Sequence, residues 1–296
     1  MAVSPQVQQF PMRPAAPALP ARLRRLVRKK PVGAVAFFII VALAIAAIAS
    51  PLLAPYDPLE PNYNALRQEP SFAHPFGTDQ IGRDLLSRII YGTRISFLVG
   101  VVSVGVAVCI GTPIGLIAGY FRGPTDELLM RIIDAISAFP SLVLALAIVA
   151  VLEPSLLNVM VAVGVTSVPI FARLTRSQVL SLRERDFVLA ATSTGASDTR
   201  IMLRHIMPNA ASPLIVQATL GLGIAILAEA SLGYLGVGVQ PPTPTWGGIL
   251  NQGAPLIERA PWLSIAPGVA IFTLVLCFNL VGDALRDALD PRQRKG

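Results

Sequence analysis

The chain has 296 residues, of which 53% are apolar and 14% charged, and its mean hydropathy is +0.64. That is too apolar for a water-soluble domain of this size, so the chain reads as an integral membrane protein. The net charge of +7 comes from 24 Lys and Arg scattered between apolar runs, with no basic stripe interleaved with aromatics, which disfavours a nucleic-acid interface and fits a membrane topology signal.

Residues 1–20 are rich in Pro, Ala and Gln without periodicity and read as a disordered tail. The basic cluster Ala21 to Lys30 precedes the apolar run Val32 to Leu53, which at about 22 residues is long enough to cross a bilayer. A signal peptide would share that layout. The run is too long for one, and Ser50, Pro51 and Leu52 do not form a small-x-small cleavage site, so an uncleaved first span is expected.

Tyr56 to Arg94 is polar, with Pro58, Pro61, Pro70 and Pro75 extending its first half. Its second half predicts an amphipathic helix capped by Thr78 or Asp79, with Leu85, Ile89 and Gly92 on one face. The run His74 to Ser96, HPFGTDQIGRDLLSRIIYGTRIS, resembles the signature segment of the C-type permease subunits of dipeptide, oligopeptide and nickel importers.

Ile95 to Tyr120 is the second span, and its Gly100, Gly105, Gly111, Gly115 and Gly119 allow close helix packing. A turn over Phe121 to Arg131 is expected, broken by Gly123 and Pro124. Ile132 to Leu152, interrupted at Phe139 and Pro140, is the third span, and Leu156 to Phe171 a shorter fourth. Cys109 and Cys277 lie inside apolar runs and read as packing residues, with no disulfide framework or metal-ligand spacing.

Asp186 to Asn209, DFVLAATSTGASDTRIMLRHIMPN, predicts helix, glycine turn, helix. Asp186 is a suitable N-cap, and Phe187, Ala190, Ala191 and Thr194 follow at i, i+3, i+4, i+7, so a nearly flat face of small residues is expected. Gly195 ends the first helix, Ser197 can cap the second, and Pro208 marks its stop. Six arginines lie between Arg173 and Arg204. On these grounds alone the unit is either an ordinary loop between spans or a docking element. The spacing of Ala190, Ala191 and Gly195, then nine residues to His205, Ile206, Met207 and Pro208, resembles the "EAA" loop of ATP-binding-cassette importer permeases, with HIMPN close to the His-Ile-Leu-Pro-Asn of peptide and nickel importers. This resemblance implies ATPase coupling through Asp186, Phe187, Ala190, Ala191, Gly195, Ala196, Arg204, His205 and Pro208. One position departs: Leu189 stands where that family has glutamate, so the ion pair such a glutamate would make with an ATPase arginine is missing.

Pro213 to Val239 is the fifth span and holds Glu229, a carboxylate deep in an apolar run. Two readings stay open for it, a glutamate hydrogen-bonded across a helix interface and one lining a translocation path where it meets a peptide ammonium group. Gln240 to Pro261, with Pro241, Pro242, Pro244, Trp246 and the adjoining Trp262, is expected to lie at the membrane interface with an aromatic anchor. Trp262 to Val281 is the sixth span, followed by a short basic tail.

With the N-terminus inside, 19 of the 24 Lys and Arg fall on the cytoplasmic side, which places both ends and the loop 177–212 in the cytoplasm. No G-x-x-x-x-G-K-[ST], H-E-x-x-H or G-x-S-x-G motif occurs, and His74 and His205 are the only histidines. His74 reads as a loop residue and His205 as the C-terminal residue of a helix. Nucleotide cradling, metalloprotease and hydrolase chemistry are therefore not expected in this chain. A self-sufficient secondary transporter would show related halves or several intramembrane charges, and neither is present.

The resemblance, over about Lys29 to Pro291, implies an all-α fold of six transmembrane helices, the type I importer permease fold, in a bacterial inner membrane. It implies a basic tail (1–30), a first helix with an extracytoplasmic segment (31–94), a core permease domain (95–285) carrying the coupling loop, and a C-terminal tail (286–296). It further implies no catalytic site, metal or cofactor in this chain. A homologous permease would pair with it, two ATPase subunits would bind ATP, and an extracytoplasmic binding protein would deliver the substrate. Dipeptides or oligopeptides are the first expectation, with nickel chelates or glutathione-like peptides as alternatives.

Overall fold

A computed structural model describes residues 30–289, so the tail expected over 1–20 and most of the C-terminal one lie outside it. Among the described residues the structure is helical, with one isolated bridge between Thr78 and Asp84. The helices are α1 (Pro31–Ile48), α2 (Ser50–Leu53), α3 (Leu85–Phe121), α4 (Gly123–Ser137), α5 (Ser141–Leu152), α6 (Leu156–Arg183), α7 (Asp186–Ser193), α8 (Asp198–Arg200), α9 (Met207–Tyr234), α10 (Trp246–Gly253) and α11 (Trp262–Leu289). Five helical stretches are long and apolar enough to cross a membrane, and the pair α4 and α5, bent by 85°, makes a sixth if it counts as one span.

Most helix centres fall on the expected apolar runs, but α4 is centred on the expected turn, the expected third span is divided between α4 and α5, and several ends differ. The expected amphipathic helix and second span are one helix, α3, capped by Asp84, whose carboxylate accepts from the Ser87 N–H at 2.8 Å, and not by Thr78 or Asp79. Thr78 instead donates its hydroxyl to the Ala65 carbonyl, and Asp79 holds Arg83 at 2.7 Å, so both serve the loop. The turn expected over Phe121 to Arg131 shrinks to Arg122, at positive φ like Gly123 which opens α4, because the segment from Gly123 on is itself helical. α6 runs 12 residues beyond Phe171, passing Pro169 without a stop. Its arginines are accommodated by carboxylates on α4: Arg176 meets Asp126 at 2.5 Å and Arg173 meets Asp134 at 2.9 Å.

Helices α3 and α6 form the central pair. A Cβ placed on Gly111, Gly115 or Gly119 would come within 2.6, 2.2 and 2.9 Å of α6 backbone oxygens, so this spacing of four lets the two backbones touch. One apolar cluster joins Val104, Val149, Val163, Phe171 and Leu232 from α3, α5, α6 and α9. Another joins Leu85, Ile226, Trp246, Leu263 and Phe278 from α3, α9, α10 and α11. Trp246 is therefore a core residue and not an interfacial anchor. It sits over Gly92, where any Cβ would strike the indole at 2.8 Å, and its Nε1 donates to the Ile89 carbonyl at 3.0 Å. His74, expected as a plain loop residue, is buried, with Nδ1 2.9 Å from Asp84 Oδ1.

Candidate functional site: the loop between α6 and α9

The polar end of the α3 and α6 pair carries the helix, turn, helix unit. α7 begins one residue after Arg185, which occupies the cap position in extended backbone, while Asp186 is the first helical residue and caps nothing. Its carboxylate still stands in the first turn, where negative charge complements the helix dipole. The expected flat face divides. Val188 and Ala191, at i and i+3, are buried against Leu116, Tyr120, Val179, Ile201 and Ile206, whereas Phe187, Ala190 and Thr194 face outward.

Gly195 closes α7 at φ +78°, with its N–H donating to the Thr192 carbonyl and the next N–H, of Ala196, to the Ala191 carbonyl. Those two bonds are a glycine C-cap, and the left-handed turn reverses the chain for α8. Ser197 heads α8 in extended backbone but its hydroxyl caps nothing. Nor does the second helix stop at Pro208. A π-helical turn, Ile201–Ile206, carries the chain into α9, with the Met207 N–H donating to Met202. Proline has no N–H to give and its ring crowds the carbonyl four residues back, so a widened turn is how the helix passes it. His205 thus lies inside a continuous helical segment, half-buried, with its carbonyl accepting from Asn209 Nδ2 at 2.7 Å.

Three large apolar side chains of the unit remain exposed: Phe187 (40%) and Leu189 (53%), which flank the buried Val188 on α7, and Leu203 (58%) on the π-helical turn. Arg185, Arg200 and Arg204 of the same unit are exposed and without an ion pair among the described residues. A groove on another protein could cover these side chains without breaking any internal contact.

Three residues that sequence reading missed fix the unit to the bundle. The Tyr120 hydroxyl, at the end of α3, donates to Asp198 Oδ1 at 2.6 Å. The Arg183 guanidinium lies 5.4 Å from the Tyr120 ring centre and donates to the Tyr120 carbonyl. No local motif marks these residues, since Tyr120 and Asp198 are 78 positions apart.

Glu229 is fully buried on α9, and neither carboxylate oxygen has a hydrogen-bond partner among the described residues. It sits away from the loop, near the opposite end of the helix.

A family model described as "Binding-protein-dependent transport system inner membrane component" matches residues 111–295, and one described as "N-terminal TM domain of oligopeptide transport permease C" matches 22–70. The dipeptide transport system permease protein DppC of Alkalihalophilus pseudofirmus is 48% identical, over 90% of this chain and 88% of its own. The glutathione transport system permease protein GsiD of Pectobacterium atrosepticum is 45% identical, over 91% and 89%. Among solved structures, an inward-facing MetNI methionine ABC transporter chain superposes with TM-score 0.57 at 18% identity, covering 70% of this chain and 98% of its own.

Proposed function

The chain belongs to the family of binding-protein-dependent transport system inner membrane components, and from that premise we propose that it pairs with a homologous permease to form a translocation path for dipeptides or oligopeptides. As a member it is a multi-span, non-enzymatic subunit of an ATP-driven importer of the bacterial inner membrane, and ATP is hydrolysed on separate ATPase subunits. The proposal extends to the assembly: two ATPases on the cytoplasmic side, both ends of this chain on that same side, and an extracytoplasmic binding protein opposite. Relatives named for dipeptide transport support the peptide assignment, and those named for glutathione, itself a small peptide, favour it as a second substrate.

The observation that carries the coupling role is the exposure of apolar side chains on α7 and the π-helical turn. Phe187, Leu189 and Leu203 are large and exposed at the polar end of the bundle, and a partner that covers them removes that apolar area from water. Asp186, Ala190, Gly195, Ala196, Arg204, His205 and Pro208 belong to the same unit. Glu229 enters this reading in a second conformation, because exposing it to a path requires α9 to part from the helices that bury it here.

Co-expression with the adjacent genes and purification of the complex is expected to recover a second permease and two ATPase chains. A cysteine at Ser193, exposed on α7, is expected to react with a membrane-impermeant reagent only in opened cells. Labelling from outside intact cells would overturn the topology and the docking role together.

A further inference from the structure

At the end of the bundle opposite the coupling loop, the start of α3 carries a guanidinium with too few partners. Arg88 is 2% exposed. Its Nη1 donates to the Pro58 carbonyl at 3.2 Å, while Nε lies 3.6 Å from Asp79 Oδ2 and has no hydrogen bond among the described residues. A guanidinium has five N–H donors, so most of its capacity is unused.

The nearby carboxylates are committed elsewhere. Asp79 binds Arg83 Nε at 2.7 Å and accepts the Ile81 and Arg83 N–H groups at 3.0 Å. Asp84 takes the Ser87 N–H at 2.8 Å, the Ser87 hydroxyl at 2.7 Å and His74 at 2.9 Å. Arg83 and Arg88 therefore share one carboxylate, and Arg88 has the poorer share. A buried charge left in that state is costly unless an anion completes it.

Arg88 lines a cleft of about 270 Å³ between the end of α9, the loop after it and α10. No carboxylate lines that cleft. Its other polar side chains are largely spent: Asn251 Nδ2 donates to the Tyr234 carbonyl at 2.8 Å, and Gln240 Nε2 donates to Gly238 at 3.1 Å. Gly233 and Gly248 contribute wall without side chains, so a ligand can approach closely. We propose that this cleft is a carboxylate subsite, in which Arg88 receives the C-terminal carboxylate of a small peptide at the extracytoplasmic mouth. A planar guanidinium fork matches a carboxylate in two parallel hydrogen bonds, and the volume suits one peptide end rather than a whole oligopeptide. The assignment rests on the transport reading above for the identity of the ligand, but not for the anion site itself.

The test uses the assembled complex in nanodiscs, with Cys109→Ser and Cys277→Ser removing native thiols and Thr243→Cys placing one in the cleft wall. Methanethiosulfonate ethylsulfonate is expected to react there at least fivefold faster than its trimethylammonium counterpart, relative to the same pair of reagents at Phe72→Cys on open surface. Acetate and dialanine at millimolar concentration are expected to slow the reaction, and dialanine amide is not. Arg88→Gln should abolish both effects, while Arg88→Lys keeps the charge preference with weaker protection. Equal reagent rates, protection by the amide, or protection that survives Arg88→Gln would each overturn the proposal. If Arg88→Gln does not assemble, the reagent and amide comparisons with Arg88 intact decide it. Dialanine uptake by the unsubstituted complex, measured in parallel, tests the transport reading separately: absent uptake with intact charge preference and acetate protection defeats that reading and leaves the anion subsite standing.

Discussion

Gly195 shows how one residue sets the direction of the coupling unit. A Cβ there would meet nothing within 4 Å, so the requirement for glycine is conformational and not steric. At φ +78° a side chain costs on the order of 1 kcal/mol or more, and a β-branched one most. Gly195→Val is therefore expected to leave the bundle assembled while misdirecting α8, and coupled ATP hydrolysis should fall severalfold; wild-type coupling in the assembled variant would refute the role of the turn. Leu189 is the second residue at issue. It is 53% exposed, so it offers apolar contact where the resemblance to importer coupling loops leads one to expect a carboxylate. If the facing groove has adapted to that contact, Leu189→Glu buries an unpaired charge on docking and should be neutral or harmful to transport-coupled ATPase activity. A clear gain would show that a basic partner is waiting there.

At the scale of elements, the central contact is the line of glycines where α3 touches α6. Gly115→Val would place its Cβ 2.2 Å from the Ala172 carbonyl oxygen, a backbone atom that cannot step aside. Overpacking of this kind costs typically 1–3 kcal/mol, and here it also pries apart the two helices whose ends hold Tyr120, Val179 and the coupling unit. The expected outcome is a lower melting temperature of the purified complex, read by near-UV circular dichroism, with a smaller drop for Gly105→Val, whose Cβ would meet nothing. The helices themselves were legible, because apolar runs of membrane-spanning length have few alternatives. Their ends were not. The fourth span was expected to end at Phe171, ahead of Arg173 and Arg176, but Asp134 and Asp126 on a neighbouring helix pair with those arginines as α6 continues, and that pairing spans 39 and 50 positions. Trp246 likewise looked interfacial until Gly92, from a distant helix, made room for it in the core. At the coupling unit the glycine turn was legible, but the caps expected at Asp186 and Ser197, the stop at Pro208 and the single flat face were not, because packing against the bundle decided them. Asp198, Tyr120 and Arg183 were not, since they meet only once α3 and α6 are packed.

Over the whole molecule, Leu203 of the coupling unit and Glu229 lie toward opposite ends of one continuous helical path, because the π-turn joins the α8 segment to α9 without a break. A displacement of the coupling unit therefore has a stiff element along which to reach the buried carboxyl. Glu229 makes no hydrogen bond among the described residues, so it is not a strut between two helices in this conformation. Glu229→Gln keeps the side-chain volume and removes the ability to carry charge. Assembly and basal ATP hydrolysis are expected to persist while peptide uptake by reconstituted vesicles falls severalfold, since a path that opens past α9 would lose its one acidic contact on that helix. Unchanged uptake would remove Glu229 from the path, and loss of the assembled complex would show that the carboxyl serves packing in a state other than this one.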